Sequence, residues 1–152
     1  QIPEWKDTIL FASRGCIRNC EFCAVPKLEG KPSSLKYDVD GLLWPGHRGA
    51  VFFDNNILGM KNWQLLFDDL INRQIKVDFN QGIDARLLSD KAAKKISEMV
   101  IDQVRMAYDY TQTRPLVKKA IDRLSKHGVS KRSIFFYALY NYKDDPKIFS
   151  FV

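Results

Sequence analysis

Three cysteines, Cys16, Cys20 and Cys23, stand within eight residues in the run SRGCIRNCEFCAVP, and the 152-residue chain has no others. Thiolate sulfur is a soft ligand suited to zinc, copper or an iron-sulfur cluster. Three thiolates so close in sequence converge only if the loop folds around what they hold, and Gly15 eases the bend. A four-iron cubane offers one ligand position per iron, so three cysteines leave one iron open to an exogenous molecule. A closed Cys3His zinc site would instead recruit His47, and three small apolar thiols in a core would hold nothing. Arg18, Asn19 and Glu21 flank or separate the cysteines, which is unlike a core, and the second cysteine pair common in zinc fingers is missing. An odd number of crowded cysteines is also a poor disulfide framework, so a reducing compartment, the cytoplasm, is expected.

The elements that must position this loop are legible as short apolar runs. TILFAS (8–13) precedes the cysteines, and AVFFD (50–54), IKVDFN (75–80), QVRMAYD (103–109) and SIFFYALY (133–140) follow. Each has the composition of a strand buried on both faces. Between them helical period takes over: Leu66, Leu70 and Ile71 share one stripe, and Ala92, Ile96 and Met99 another. In TRPLVKKAIDRLSKHG, Thr113 is the expected N-cap, Pro115 sits in the first turn, Leu116, Val117, Ala120, Ile121 and Leu124 form the stripe, and Gly128 is the stop. The last four strands begin 25, 28 and 30 residues apart, a βα spacing that predicts an α/β fold with a parallel sheet, either open or curled toward a barrel.

In parallel α/β architectures the loops after the strand ends share one face, where chemistry collects. Here those loops carry the cysteines, then Asp54, Asn55 and Asn56, then Asn80, Gln81, Asp84 and Arg86, then Asp109, Thr111 and Gln112, and finally Asn141. Five polar strand ends on one face predict a site.

The pattern Cys16-x-x-x-Cys20-x-Phe22-Cys23, directly after a first strand and at the head of a βα series, resembles the signature of the radical S-adenosylmethionine superfamily. The resemblance implies a partial TIM-type (β/α)6 barrel, of which about five βα units are visible, with residues 1–152 forming a single core domain cut from a longer protein. It implies that the three cysteines hold a 4Fe-4S cluster whose open iron is chelated by S-adenosylmethionine. One electron passed through the cluster would then cleave the sulfonium and yield a 5'-deoxyadenosyl radical that takes hydrogen from a substrate. Many members carry a Gly-Gly-Glu-like motif at the second strand end that binds the methionine amino group; here the position reads Asp54-Asn55-Asn56, with Asp54 as the acceptor. Asp84 and Arg86 fall where relatives contact the ribose and the methionine carboxylate, which a guanidinium can grip through two parallel hydrogen bonds. Asp109 and the run Tyr137 to Tyr140 match positions that touch ribose and adenine, and Phe22 belongs to the cofactor-facing loop. Arg14, Arg18 and Lys27 would support an anionic cluster and dock an acidic reducing partner such as flavodoxin or ferredoxin.

The longer string GCIRNCEFCAVPKLEG, with Ala24, Val25, Pro26 and Gly30 after the last cysteine, is similar to the methylthiotransferase and cobalamin-associated branches. Methylthiotransferases carry Gly-Gln-Asn at the second strand end, whereas Asp54-Asn55-Asn56 looks closer to cobalamin-associated members. Composition adds little: 45% hydrophobic and 28% charged residues describe a globular domain, without an apolar run long enough to span a bilayer. The net charge of +6 is compatible with RNA as substrate or partner, though the basic residues sit at the spacing of solvated helix faces. A metal-stabilised nucleic-acid-binding module without catalysis is the alternative function.

Overall fold

A computed structural model describes residues 5–144. In chain order the elements are β1 (Asp7–Leu10), β2 (Ser13–Arg14), α1 (Val25–Leu28), β3 (Ser33–Ser34), β4 (Gly49–Phe52), α2 (Trp63–Asn72), β5 (Lys76–Phe79), α3 (Asp90–Glu98), β6 (Val100–Ile101), β7 (Val104–Tyr108), α4 (Arg114–Lys126) and β8 (Ile134–Ala138). The fold is mixed α/β. Strands β1, β4, β5 and β6 form one parallel sheet in that order, with Leu10 beside Phe52 and Phe52 beside Phe79. Strands β7 and β8 form a second parallel pair, and a parallel bridge between Ile83 and Met106 continues the order across the gap.

The helices form where the spacing of apolar residues predicts them. Leu66, Phe67 and Leu70 of α2, Ala92, Ala93 and Ile96 of α3, and Val117, Ala120 and Leu124 of α4 are buried in one core with Ala50, Phe52, Val77, Phe79, Val104 and Met106 of the strands. Phe79 is its centre, stacked on Phe67 at 5.3 Å and tilted against Phe52 at 5.4 Å. Burying each such side chain contributes about 1.5–3 kcal/mol. Ser89 caps α3 by accepting from the Ala92 N–H (3.1 Å), and Gly128, at a φ of 89°, ends α4 as expected.

Three local expectations are corrected. The strands are not buried on both faces: Ala50 and Phe52 point into the core, whereas Ile9 is 58% exposed, and Val51, Asp78 and Arg105 line an open groove on the other side of the sheet. The first strand stops at Leu10, and Ser13 turns away to pair antiparallel with Ser34 in β2–β3, because the Ala12 and Ser13 N–H groups are taken by the Asp54 carboxylate. Thr113 stands at the start of α4 without capping it; its hydroxyl donates to the Tyr110 carbonyl instead (2.6 Å), and Leu116 lies in a cleft rather than the core. No helix among the described residues is long and apolar enough to cross a membrane.

Candidate functional site

The chain leaves β1 through Ala12 and enters the cysteine loop, whose base is closed by several bonds. The Cys16 N–H donates to the Gly30 carbonyl (3.3 Å), and Glu29 accepts from the Gly15 N–H (2.8 Å), from Arg14 (2.6 Å) and from Asn55 Nδ2 (2.8 Å). Gly15 has a φ of 77°, and a Cβ there would lie 2.5 Å from the Lys31 carbonyl oxygen, so the crossing of the loop's two ends needs glycine. Within the loop the Cys23 N–H donates to the Cys20 carbonyl (3.0 Å), a turn that brings the second and third cysteines together. All three cysteines are unbridged and half-buried.

Beneath the loop lies Asp54, 2% exposed, at the end of β4. Its carboxylate accepts from the Ala12 N–H (3.1 Å), the Ser13 N–H and the Ser13 hydroxyl (2.6 Å). Burial pushes its pKa up, and these neutral donors only partly offset the shift. The next two residues point elsewhere: Asn55 and Asn56 line a cleft that also holds Cys16, Cys20, Cys23, Phe22, Asp84, Arg86 and Asp109. The strand ends β1, β4, β5 and β7 therefore meet at one place. Asp54 forms the floor of that place, outside the cleft lining, and Asn141 and the Tyr137 to Tyr140 run are not among its lining residues either. The Tyr137 hydroxyl donates to the Asn80 carbonyl (2.9 Å).

The electrostatic centre of the cleft is Asp84, whose side chain is 6% exposed. Its Oδ1 accepts from the Arg86 backbone N–H (3.0 Å) and Nε (2.7 Å), and its Oδ2 accepts from Arg18 Nε (2.8 Å) and Asn56 Nδ2 (3.2 Å). Burial acts to raise its pKa, but hydrogen bonds and charge from Arg86 and Arg18 outweigh it and hold the carboxyl below the usual aspartate value. Two of these side chains and the Arg18 backbone also reach sulfur. Asn56 Nδ2 lies 3.6 Å from Cys16 Sγ, the Arg18 N–H lies 3.4 Å from the same sulfur, and the Arg86 guanidinium interacts with Cys20. Burial would lower the Arg86 pKa; Asp84 and then Cys20 reverse that and raise it. Asp109, across the cleft, is pushed up chiefly by burial, with Arg86 opposing and Asp84 adding to the shift.

Several contacts were not legible in the sequence. Glu29 as the clasp of the loop gives no local signal, since its partners lie 15, 14 and 26 residues away. Tyr142 packs edge-on against Phe22 (4.9 Å) and donates to Glu21 (3.2 Å), and Lys143 pairs with Glu21 (3.4 Å), which ties the segment after β8 to the cysteine loop. Of the flanking cations, Arg14 lies over the Phe11 ring and Arg18 turns inward to Asp84.

A closed zinc site and an iron-sulfur cluster ask different things of these donors. His47 sits at the opposite end of the sheet, just before β4, with Nδ1 3.0 Å from the Thr8 hydroxyl. Among the described residues no three Cys, His, Asp or Glu side chains converge on one ion. A closed zinc site therefore does not fit. A cubane fits, because its irons are separate ions whose cysteines stand apart, and the three free thiols share one cleft in which the Arg18 backbone N–H and the Asn56 amide point at Cys16 and the Arg86 guanidinium interacts with Cys20.

No protein-family model matches the chain. Two curated proteins are similar to parts of it, both ribosomal protein uS12 methylthiotransferase RimO. The protein from Pelodictyon phaeoclathratiforme is 28% identical over 109 residues, covering 72% of this chain and 22% of the relative. That from Petrotoga mobilis is 31% identical over 70 residues, covering 41% of this chain and 16% of the relative. The chain thus spans about a fifth of the length of the curated relatives it matches, and its similarity to these enzymes is distant.

Proposed function

We propose that this chain is the cluster-bearing part of a radical S-adenosylmethionine enzyme, of a kind similar to the methylthiotransferases. The observation that carries the proposal is the convergence of Cys16, Cys20 and Cys23 with Asn56, Asp84, Arg86 and Asp109 in one cleft at the ends of parallel strands. The cysteine signature and the distant similarity to two methylthiotransferases support the same assignment. The run of parallel strands in sequence order is compatible with a partial (β/α)6 barrel, which is part of the proposal.

In this proposal Cys16, Cys20 and Cys23 hold a 4Fe-4S cluster. When bound, the cluster supplies the electron that cleaves S-adenosylmethionine to methionine and the 5'-deoxyadenosyl radical. The chain's residues orient the cofactor. Asp109 makes no side-chain hydrogen bond to another described residue, which leaves its carboxylate for ribose hydroxyls. Arg86 has its Nε engaged by Asp84, so only its outer nitrogens are left for the methionine carboxylate. Asn55 and Asn56 supply amides at the second strand end, and Asp54 supports them from below, fixing the floor of the site rather than meeting the ligand. Phe22, held edge-on by Tyr142, gives the cleft an apolar wall beside the cysteines. Exposed Leu28, with Lys27 beside it in α1, offers the reducing partner, a flavodoxin or ferredoxin, an apolar and basic landing. The substrate is a macromolecule, a ribosomal protein by likeness to the relatives or an RNA by the net charge of +6.

Anaerobic reconstitution tests this directly. About four irons per chain are expected, together with a reduced-cluster electron spin resonance signal that changes on adding S-adenosylmethionine and reductive formation of 5'-deoxyadenosine. Cys20→Ala is expected to abolish iron binding and cleavage. Stoichiometric zinc without iron, or turnover retained in Cys20→Ala, would overturn the proposal.

A further inference from the structure

The cleft contains more organised charge than cofactor binding requires. One nearly buried carboxylate, Asp84, holds two guanidinium groups that come from different loops: Arg18 from the cysteine loop and Arg86 from the loop after β5. It also holds the Asn56 amide from the loop after β4. The Asn56 and Arg86 side chains each have a second contact with a cysteine, and Arg18 reaches one through its backbone. Asn56 Nδ2 and the Arg18 N–H lie near Cys16 Sγ, and Arg86 interacts with Cys20. Within this network two arginines stand against one aspartate, and all three line the cleft of the cysteines together with Asp109, which faces Arg86 from across it. Aspartate is suited to this because its two oxygens serve the two arginines separately, Oδ1 taking Arg86 and Oδ2 taking Arg18.

Charge and hydrogen bonds at the sulfurs of an iron-sulfur cluster set its reduction potential, since the reduced cluster carries one more negative charge than the oxidised one. We infer that Asp84 is a positioning residue whose two arginines set the potential of the bound cluster: Arg18 and Arg86 favour the reduced state, and Asp84 places them while partly cancelling their charge. The inference rests on the cluster chemistry proposed above. It gives the aspartate and the arginines of one network opposite effects, which a role confined to holding the loop together would not do.

The test is the midpoint potential of the reconstituted protein, followed by electron spin resonance, in wild type, Arg86→Gln, Arg18→Gln and Asp84→Asn, with iron content measured for each. Arg86→Gln and Arg18→Gln are each expected to make reduction about tenfold less favourable, a fall of about 59 mV for a one-electron couple. Asp84→Asn keeps the shape and an acceptor but removes the negative charge, so its potential is expected to rise. Arg86→Lys, which keeps the charge, is expected to restore most of the loss. Equal potentials at full iron content, or shifts of one sign for all three variants, would overturn the inference. So would loss of most iron in all three, because the network would then serve assembly. Those outcomes leave the enzyme proposal standing if wild type still yields 5'-deoxyadenosine, whereas a wild type that takes up no iron removes both.

Discussion

Asp54 and Asp84 are two buried carboxylates at the ends of adjacent parallel strands, and the chain surrounds them with opposite kinds of partner. Asp54 meets backbone N–H groups and one hydroxyl, all neutral, and burial raises its pKa. Asp84 meets two guanidinium groups and an amide, and its pKa is lowered. The first carboxylate fixes backbone: it is the reason the chain turns out of β1 at Ala12 and presents the cysteine loop. The second arranges charge around the sulfurs. A buried acid is thus a scaffold or an electrostatic element according to what donates to it, and sequence position alone does not distinguish the two.

The largest expected effect comes from emptying the first site. Asp54→Ala leaves the Ala12 and Ser13 N–H groups and the Ser13 hydroxyl buried without acceptors, at about 1–3 kcal/mol for each unsatisfied group, reduced by any water that enters. A loss of about 3 kcal/mol overall is expected, a fall in Tm of roughly 10 °C for a domain of this size. Thermal unfolding of the apo-protein checks it. A change under about 0.5 kcal/mol would remove Asp54 from its scaffold role.

How much of this was readable beforehand follows from the range of each interaction. The core helices and most strands are local patterns: Leu66 and Leu70, or Ala92 and Ile96, announce their buried faces through spacing alone. The cysteines are legible by type, and Asn56, Asp84, Arg86 and Asp109 by their place after strands, since parallel strands put those loops on one face. The role of Asp54 was not legible, because its partners are 41 and 42 residues away and its neighbours Asn55 and Asn56 look just as polar. Nor was the open face of the sheet, where Ile9 and Val51 are as apolar as the core residues beside them. Apolar pattern marks a strand; what covers its second face is set by elements elsewhere.

A smaller effect lies in the pH dependence of stability, where the two sites must differ in sign. The ordinary aspartate value is 3.8. The folded Asp54 pKa lies above it, so between the two values the folded state binds more protons than the unfolded state, and Asp54's contribution is lost as pH rises through the folded pKa. The folded Asp84 pKa lies below 3.8, so its contribution is present above that value and lost as pH falls through the folded pKa. Denaturant titrations at a series of pH values give the difference between wild type and each asparagine variant. The difference for Asp54→Asn is expected to shrink as pH rises above 3.8, and that for Asp84→Asn to shrink as pH falls below it. Two differences running in the same direction would mean that the neutral donors around Asp54 stabilise its charge as well as arginines do, and the contrast between the sites would fail.

The smallest effect on stability is expected for Arg86→Gln. The side chain is 33% exposed, so its ion pair with Asp84 is partly screened by solvent, and Arg18 and Asn56 continue to satisfy the carboxylate. The loss should stay under about 1 kcal/mol. That small figure is what makes the variant informative. If the network existed to hold the fold, removing one of its two cations would show most in unfolding; if it exists to present charge to sulfur, unfolding of the apo-protein barely changes while the cluster potential moves about tenfold in equilibrium. A stability loss of several kcal/mol from Arg86→Gln would put Asp84 in the same class as Asp54, as a second piece of scaffold.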